Sequence, residues 1–380
     1  MTISDRRSSL DEVSRIARDT LAPIADHSPP GRVNRELVRA LSDTGLLARV
    51  FPESVGGAQP GSVSAFELCA LREALAHDCV EAEAALAMQA LGAYPILRSG
   101  TAATIQRWVP GVCRGELVAA FALSEPGAGS DAAALELRAE PGGGGYLLTG
   151  TKTWISNAPD VDVYTVFART TDGAGAGGVT AFAVDGHAPG LRGTPIEMIS
   201  GHPIGMVEFE AVPVASECVL GEVGEGFAVA MQTLDLFRPS VGASAVGMAQ
   251  AALDAALDHA GSRRAFGGVL FDLQSVAHRL AGMAVQVHAA RLMVQDAARA
   301  YDAGAPDITM RSSMAKLFAT EAAQDVVDAA VQIHGAVALQ HGHQLEHLYR
   351  AVRAPRIYEG ATELQLTIIA RRLRSSRAPG

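Results

Sequence analysis

The 380-residue chain has few lysines, few aromatic residues and no long apolar run. Lysine occurs only at Lys152 and Lys316 among 31 basic residues, and the formal net charge is −10. This acidic balance argues against general nucleic-acid binding but leaves room for local basic pockets. No apolar run approaches the roughly 20 residues that span a bilayer, so we expect no membrane span. We interpret the preference for arginine over lysine as codon usage rather than function.

Cysteine is also scarce, and its spacing excludes two kinds of site. The four cysteines form no CxxC pair and no metal-ligand spacing, so we expect reduced, mostly buried thiols and no metal site. They are Cys69, Cys79, Cys113 and Cys218. The N-terminal residues mix arginines with acids and lack the apolar segment of a secretory signal, so we expect a cytoplasmic protein.

Apolar periodicity predicts an α+β protein of three segments. Residues 1–117 have helical spacing, with a long alanine- and leucine-rich run over 66–88. Residues 118–226 contain short apolar runs separated by glycine-rich turns, which is typical of a β-barrel or sandwich domain. Residues 227–380 return to helical spacing, with helices predicted over 241–260, 273–301, 310–334 and 344–373.

Two glycine runs in the middle segment, 142–145 and 173–178, could be mistaken for phosphate-binding loops. Neither fits GxGxxG or GxxxxGK[ST] between a strand and a helix. We therefore interpret them as hairpin loops, and any dinucleotide must be held without a doubly wound nucleotide fold.

A proline- and glycine-containing turn follows the first predicted strand. Residues 121–131 read FALSEPGAGSD. Pro126 restricts Glu125 to extended conformations, and Gly127 and Gly129 permit a sharp turn with exposed backbone amides. Such a turn can donate hydrogen bonds to an electron-rich ligand edge, although by itself a glycine turn after a strand is usually only a turn.

A second cluster, GTKTWISN over 150–157, places an indole beside a hydroxyl. Trp154 and Ser156 alternate onto one face of a predicted strand, where they can form a wall for a planar cofactor. The alternative is a core tryptophan in a sandwich.

Two further clusters lie in the C-terminal segment. Residues 262–267 read SRRAFG where one helix ends and the next begins, and two arginines there also suit a helix C-terminus. Residues 357–363 read IYEGATE, in which Glu359 would ordinarily be a solvated residue at a helix break.

Taken in order, these four clusters resemble the motifs of the acyl-CoA dehydrogenase family, and the resemblance spans essentially the whole chain. It implies an N-terminal helical domain (1–117), a middle β-domain (118–226) and a C-terminal four-helix bundle (227–380). It also implies FAD as cofactor, with Ser124, Ser156 and Trp154 at the flavin ring. Arg263 would contact the FAD pyrophosphate of a neighbouring subunit, with Phe266 near the adenine. The implied cofactor-binding residues are Phe121, Leu123, Ser124, Gly129, Ser130, Trp154, Ser156, Arg263, Phe266, Gln274, Gln332, Gly335, Ala361 and Glu363. The implied substrate-binding residues are Ser130, Asp235, Arg238, Tyr358 and Gly360.

The resemblance assigns Glu359 as the base that removes the α-proton of an acyl thioester. A water-excluding pocket would raise its pKa and its basicity. Some relatives carry the base just before an arginine on the helix after the β-domain, but here Phe237 precedes Arg238 and cannot take a proton. A helix-start ion pair is the alternative for Asp235 and Arg238.

The sequence departs from the family pattern at three places. Ala336–Leu339 follow Gly335 where relatives have further glycines, and Ala361 and Glu363 replace a common threonine and glutamine. Ala265 lacks the hydroxyl that some relatives have there. All three departures bear on how FAD is held.

The leading hypothesis is conversion of a saturated acyl thioester, on coenzyme A or a carrier protein, to the trans-2-enoyl thioester. Implied partners are an electron-transferring flavoprotein and further copies of the chain, as a tetramer. A flavin oxidase or hydroxylase on the same fold, and a non-catalytic thioester-binding relative, are the alternatives.

Overall fold

The computed structural model of the protein describes residues 3–173 and 175–375, with the backbone alone for residues 3–9. The chain passes from helices through strands to helices, which confirms the predicted α+β class. The helices that precede the strands are α1 (Ile3–Ile16), extended by a π-helical turn (Ala17–Leu21), α2 (Ala22–Ala25), α3 (Arg35–Asp43), α4 (Ala65–Asp78), α5 (Val80–Ser99) and α6 (Ala102–Cys113). The alanine- and leucine-rich run over 66–88 is helical, as its spacing indicates, and is divided between α4 and α5 by Cys79, which has an extended backbone.

Among the described residues, eight strands form one sheet. They are β1 (Ala119–Ala122), β2 (Arg138–Gly142), β3 (Gly145–Ser156), β4 (Val163–Arg169), β5 (Val179–Asp185), β6 (Leu191–Pro195), β7 (Ile204–Ala215) and β8 (Val219–Leu220). Their order is β6-β7-β3-β2-β4-β5-β8, and β1 pairs in parallel with β4. The β2–β3 and β4–β5 pairs are antiparallel, and the two glycine runs lie between their strands in the sequence, which confirms the described residues of these runs as parts of hairpin loops. Residue 174, in the second run, lies outside the described residues.

Helices dominate again after the sheet. They are α7 (Gly226–Ser262), α8 (Gln274–Asp302), α9 (Ile308–His334), α10 (Gln344–Ala351) and α11 (Thr362–Ser375), with a small hairpin of β9 (Arg264–Ala265) and β10 (Gly268–Val269) after α7. The single helix predicted over 344–373 is wrong, because the chain breaks between α10 and α11. Pro355 lies in a 3₁₀ turn there, and Glu359 and Gly360 have φ values of 52° and 98°, which no right-handed helix accommodates.

Contacts group the described residues into two compact units. Unit 1 contains the chain up to Arg18, Ser64–Glu83 and everything from Asp235 onward, and unit 2 contains Asp19–Val63 and Ala84–Leu234. The units do not follow the three sequence segments, and the boundaries at 117/118 and 226/227 stay predictions.

The core of unit 2 lies around β4 and β5, which are buried on both faces. Helix α5 approaches this sheet closely, since a Cβ on Gly92 would meet the backbone nitrogen of Ala120 at 2.6 Å. The Thr165 hydroxyl also donates to the Gly92 carbonyl at 2.8 Å. This contact fixes β1, whose end leads into the proline-containing turn.

Small side chains on long helices are frequent in the core of unit 1. Gly242 of α7 lies against Val294 of α8 and against Ala315 and Ala319 of α9, so the helices pack at short distance. Within the described ranges, no helix combines the length and apolar character needed to cross a bilayer. Cys69, Cys79 and Cys113 are buried and Cys218 is half-buried, which confirms the prediction of mostly buried cysteines.

Candidate active site

The stretch Ser124–Ser130, here called the proline turn, forms a tight reversal at the end of β1. Glu125 and Ala128 exchange backbone hydrogen bonds, each at 3.1 Å. Gly127 and Gly129 are exposed, and a Cβ on either would meet no atom within 4 Å. The outer side of the turn is therefore open to a ligand.

The inner side of the proline turn is held by a buried ion pair. The Glu125 carboxylate accepts from Lys152 Nζ at 2.8 Å and from the backbone N–H groups of Glu136 and Leu137. Lys152 also donates to the Leu123 carbonyl at 2.9 Å and has no exposed surface. Burial lowers the pKa of the Lys152 ammonium to about 8, against the attraction of Glu125. These contacts fix the buried side of the proline turn to β3 and to the backbone just before β2.

The two clusters predicted in the middle segment lie side by side. The backbone N–H of Thr153 donates to the Ser124 carbonyl at 3.0 Å, so the end of β3 flanks the proline turn. Trp154 has a φ of 60° and is 55% exposed, so the alternative of a core tryptophan is wrong. Its left-handed backbone, within a shift of the β3–β7 register, turns the indole out of the core.

Ser156 has a partner that the sequence did not indicate. His202 Nε2 and Ser156 Oγ are hydrogen-bonded at 2.8 Å. Burial lowers the pKa of His202 to about 4, so the imidazole is neutral at physiological pH. His202 lies two residues before Ile204, the β7 partner of Ser156, and only the strand register reveals this proximity.

Two other predicted cofactor residues belong to β1 and its end. The half-buried Phe121 ring packs on Phe167 with centroids 4.9 Å apart, and Leu123 is buried. Ser130 is exposed at the far side of the proline turn.

In unit 1, the break between α10 and α11 carries Glu359. We call Tyr358–Ala361 the glutamate turn. The Glu359 carbonyl accepts from Arg238 Nε and from Gln365 Nε2, each at 3.2 Å. The Gly360 carbonyl accepts from Lys316 Nζ at 2.7 Å and from Gln365 Nε2 at 3.0 Å. Donors from three helices thus hold a backbone that is left-handed at two successive residues.

The Glu359 side chain is surrounded by buried charge but is not hydrogen-bonded at one oxygen. Its Oε2 is buried and has no hydrogen-bond partner. Burial raises the pKa of this carboxyl above its usual value, although the charges of Arg72, Arg238 and Lys316 oppose the rise. A carboxylate that is desolvated and has one unpaired oxygen can accept a proton from a bound molecule.

Asp235 and Arg238 lie within α7 rather than at a helix start, so the helix-start alternative is wrong. Their charged groups are 3.8 Å apart, and Thr309 donates to Asp235 Oδ2 at 2.9 Å. Pro239 cannot donate to the Asp235 carbonyl one turn earlier, and the Ser312 hydroxyl donates to that carbonyl at 3.0 Å instead. Phe237 is fully buried beside them.

The remaining predicted cofactor residues lie on exposed parts of unit 1. Phe266 is 89% exposed with a φ of 52°, and Arg263 is exposed just before β9. Also exposed are Gln274 at the start of α8, Gln332 and Gly335 at the end of α9, and Glu363 in α11, while Ala361 is half-buried. Sequence reasoning missed a ring stack here. His259 near the end of α7 stacks on His334 at 4.2 Å, which holds the stretch with Arg263 beside the end of α9.

The residues present fit FAD. An exposed indole, a hydroxyl on its strand and open glycines at the proline turn suit a planar ring with polar edges. In unit 1, exposed Arg263 suits a pyrophosphate, and a Cβ on Gly335 would meet no atom within 4 Å.

Comparisons with known proteins agree over nearly the whole chain. Models of the acyl-CoA dehydrogenase N-terminal, middle and C-terminal domains match residues 4–116, 120–212 and 224–374. The chain is 34% identical over 376 residues to cyclohexane-1-carbonyl-CoA dehydrogenase of Geobacter metallireducens, covering 98% of each. Its fold is similar to that of butyryl-CoA dehydrogenase from Megasphaera elsdenii, with a TM-score of 0.92 and 31% identity over 98% of this chain and 99% of that one. It is also similar to the FAD complex of PigA, with a TM-score of 0.91 and 26% identity over 98% of each chain.

Proposed function

Because the chain belongs to the acyl-CoA dehydrogenase family, we propose that it converts a saturated acyl thioester to the trans-2-enoyl thioester, with Glu359 as the base. Membership makes it an FAD-dependent oxidoreductase that acts on CH–CH bonds. The thioester specificity and the role of each residue are the proposal.

The observation that carries the proposal is the state of Glu359. An α-proton beside a thioester is a weak acid, so its removal needs a positioned base of raised pKa. Glu359 has a buried oxygen without a partner, and its pKa is raised by burial. Phe237 fills the position where some relatives carry the base, so Glu359 is the carboxylate assigned to this role.

In this proposal, residues of the glutamate turn act on the substrate, and residues of the proline turn and β3 bind the flavin. At the glutamate turn, a Glu359 oxygen takes the α-proton, and the electron pair of that C–H bond becomes the new double bond. FAD supplies the acceptor for the β-hydrogen, which leaves as hydride. We assign the backbone N–H of Glu359 to the developing enolate oxygen, because Arg238, Lys316 and Gln365 fix the adjacent carbonyls. Asp235, Tyr358 and Gly360 are assigned to the substrate pocket.

At the proline turn and β3, Ser124, Ser156 and Trp154 are assigned to the flavin ring. Arg263 and Phe266 are assigned to the FAD of a neighbouring copy, and their exposure suits that role. This assignment requires at least a dimer, and we propose a tetramer. An electron-transferring flavoprotein is the proposed electron acceptor.

The test is anaerobic mixing of the FAD-loaded protein with saturated acyl-CoA thioesters of several chain lengths and the matching carrier-protein thioesters. Bleaching of the oxidised flavin band, with formation of the enoyl thioester, is the expected result. A yellow protein that no thioester bleaches would contradict the dehydrogenase assignment. Rapid peroxide formation in air with the bleaching substrate would identify an oxidase instead.

A further inference from the structure

The chain has two lysines, and each contacts one of the two turns described above. We propose that Lys152 and Lys316 are positioning residues, Lys152 for the proline turn and Lys316 for the glutamate turn. The assignment of these turns to cofactor and base rests on the proposed function, but the mechanical claim can be tested without it. The contacts also give the scarce lysines a structural role that codon usage does not supply.

Lys152 connects three parts of unit 2. Its ammonium, on β3, donates to the Leu123 carbonyl at the end of β1 and to the Glu125 carboxylate inside the proline turn. The same carboxylate accepts from the backbone of Glu136 and Leu137, just before β2. Removal of the ammonium would free the Leu123 carbonyl and leave a buried carboxylate without its cation.

In unit 1, Lys316 contacts the glutamate turn as Lys152 contacts the proline turn in unit 2. Its ammonium, on α9, donates to the Gly360 carbonyl at 2.7 Å and has no exposed surface. Its positive charge also opposes the rise in the pKa of Glu359. Lys316 therefore fixes the backbone of the glutamate turn and lowers the proton affinity of the carboxylate that this turn carries.

Lysine suits both places for a geometric reason. An ammonium is compact and has three donors, whereas a guanidinium has five donors in a fixed plane that would all need partners when buried. A hydrogen bond from a charged donor is stronger than one from a neutral donor, so an ammonium is suited to holding a short irregular turn.

Hydrogen–deuterium exchange of the full chain, without added FAD or substrate, separates the two roles. Lys316→Met should speed amide exchange in residues 357–361 by about tenfold or more and leave residues 123–130 unchanged. Lys152→Met should speed amide exchange in residues 123–130 and leave residues 357–361 unchanged. Because Lys152→Met leaves the buried Glu125 carboxylate without its cation, the double variant Lys152→Met/Glu125→Gln provides a second test that adds no buried net charge. The matched control is Arg192→Met, which removes an exposed cation paired with Glu210, and it should change neither turn.

Two readouts on the FAD-loaded protein then distinguish positioning from general stability. Lys152→Met/Glu125→Gln should weaken FAD binding about tenfold, measured by titration with free FAD, and Lys316→Met should not. Lys316→Met should move the acid limb of flavin reduction by an acyl-CoA to higher pH, because Glu359 would retain Arg72 and Arg238 but lose one of its cations, with Glu83 still nearby.

Equal effects of both lysine variants on both turns, or no effect on either, would overturn the proposal. Selective exchange effects in a protein that no thioester reduces would instead support the positioning roles and contradict the proposed function.

Discussion

Gly360 is the position where the glutamate turn is most sensitive to a single methyl group. A Cβ at this residue would lie 2.4 Å from Gln365 Nε2, and the φ of 98° is unfavourable for any L side chain. Gly360→Ala therefore has two costs: the left-handed backbone, about 1–2 kcal/mol, and displacement of the Gln365 amide. That displacement breaks the bonds to the Glu359 and Gly360 carbonyls, at about 0.5–1.5 kcal/mol each. The expected total loss is about 2–5 kcal/mol.

Gly304→Ala is the matched control for this prediction. Gly304 has a φ of 66° after α8, and a Cβ there would meet no atom within 4 Å. Gly304→Ala therefore has the cost of a left-handed backbone but no clash with a neighbouring atom. Gly360→Ala should lower the free energy of unfolding, measured in urea, by about 1–3 kcal/mol more than Gly304→Ala does. In a Gln365→Ala background this excess should disappear, because the obstructing amide is gone. Equal destabilisation by the two alanines, within about 0.5 kcal/mol, would refute the contact with Gln365.

Two further predictions concern His202 and the protonation of Glu359. His202→Phe should weaken FAD binding by about three- to tenfold, because it removes the hydrogen bond to Ser156, and His202→Gln should recover part of the loss. The control is His187→Phe, in the same unit, where an exposed histidine pairs with the buried Asp162 carboxylate, and it should leave the FAD affinity unchanged. Equal weakening by both phenylalanines would contradict the role of His202. The rate of flavin reduction by an acyl-CoA should rise with pH, with a midpoint above the usual pKa of glutamate. The reason is that the base acts as a carboxylate and burial raises its pKa. A stopped-flow pH profile without this rise would contradict the assignment.

The segment order and the motif positions could be predicted because they depend on local pattern. Apolar runs such as Val163–Arg169 and Val179–Asp185 are short and are separated by a glycine-rich stretch, and these features identify strands without any tertiary information. The helix predicted over 344–373 failed because its apolar spacing continues through a break. Pro355 and Gly360 indicate a break at this place, but the prediction followed the apolar spacing instead of these two residues.

The side chains that hold the site residues in place could not be predicted, because their contacts depend on strand register and helix packing. His202 meets Ser156 only because β3 and β7 pair with Ser156 opposite Ile204. Lys316 lies on α9, 44 residues from the Gly360 carbonyl to which it donates, and Gly360 lies in the break between α10 and α11. Nothing in the local sequence around either residue distinguishes it from a surface histidine or lysine.

The proposed role of Glu359 is tested most directly by anaerobic flavin reduction in Glu359→Gln. Glutamine keeps the size of the side chain but cannot accept the α-proton. The variant should bind FAD like the unchanged protein, while flavin reduction by the best acyl-CoA slows by about a hundredfold to ten-thousandfold. Glu222→Gln, at an exposed position in unit 2, is the control and should keep the full rate. Reduction of Glu359→Gln at the rate of this control would contradict the assignment of Glu359 as the base.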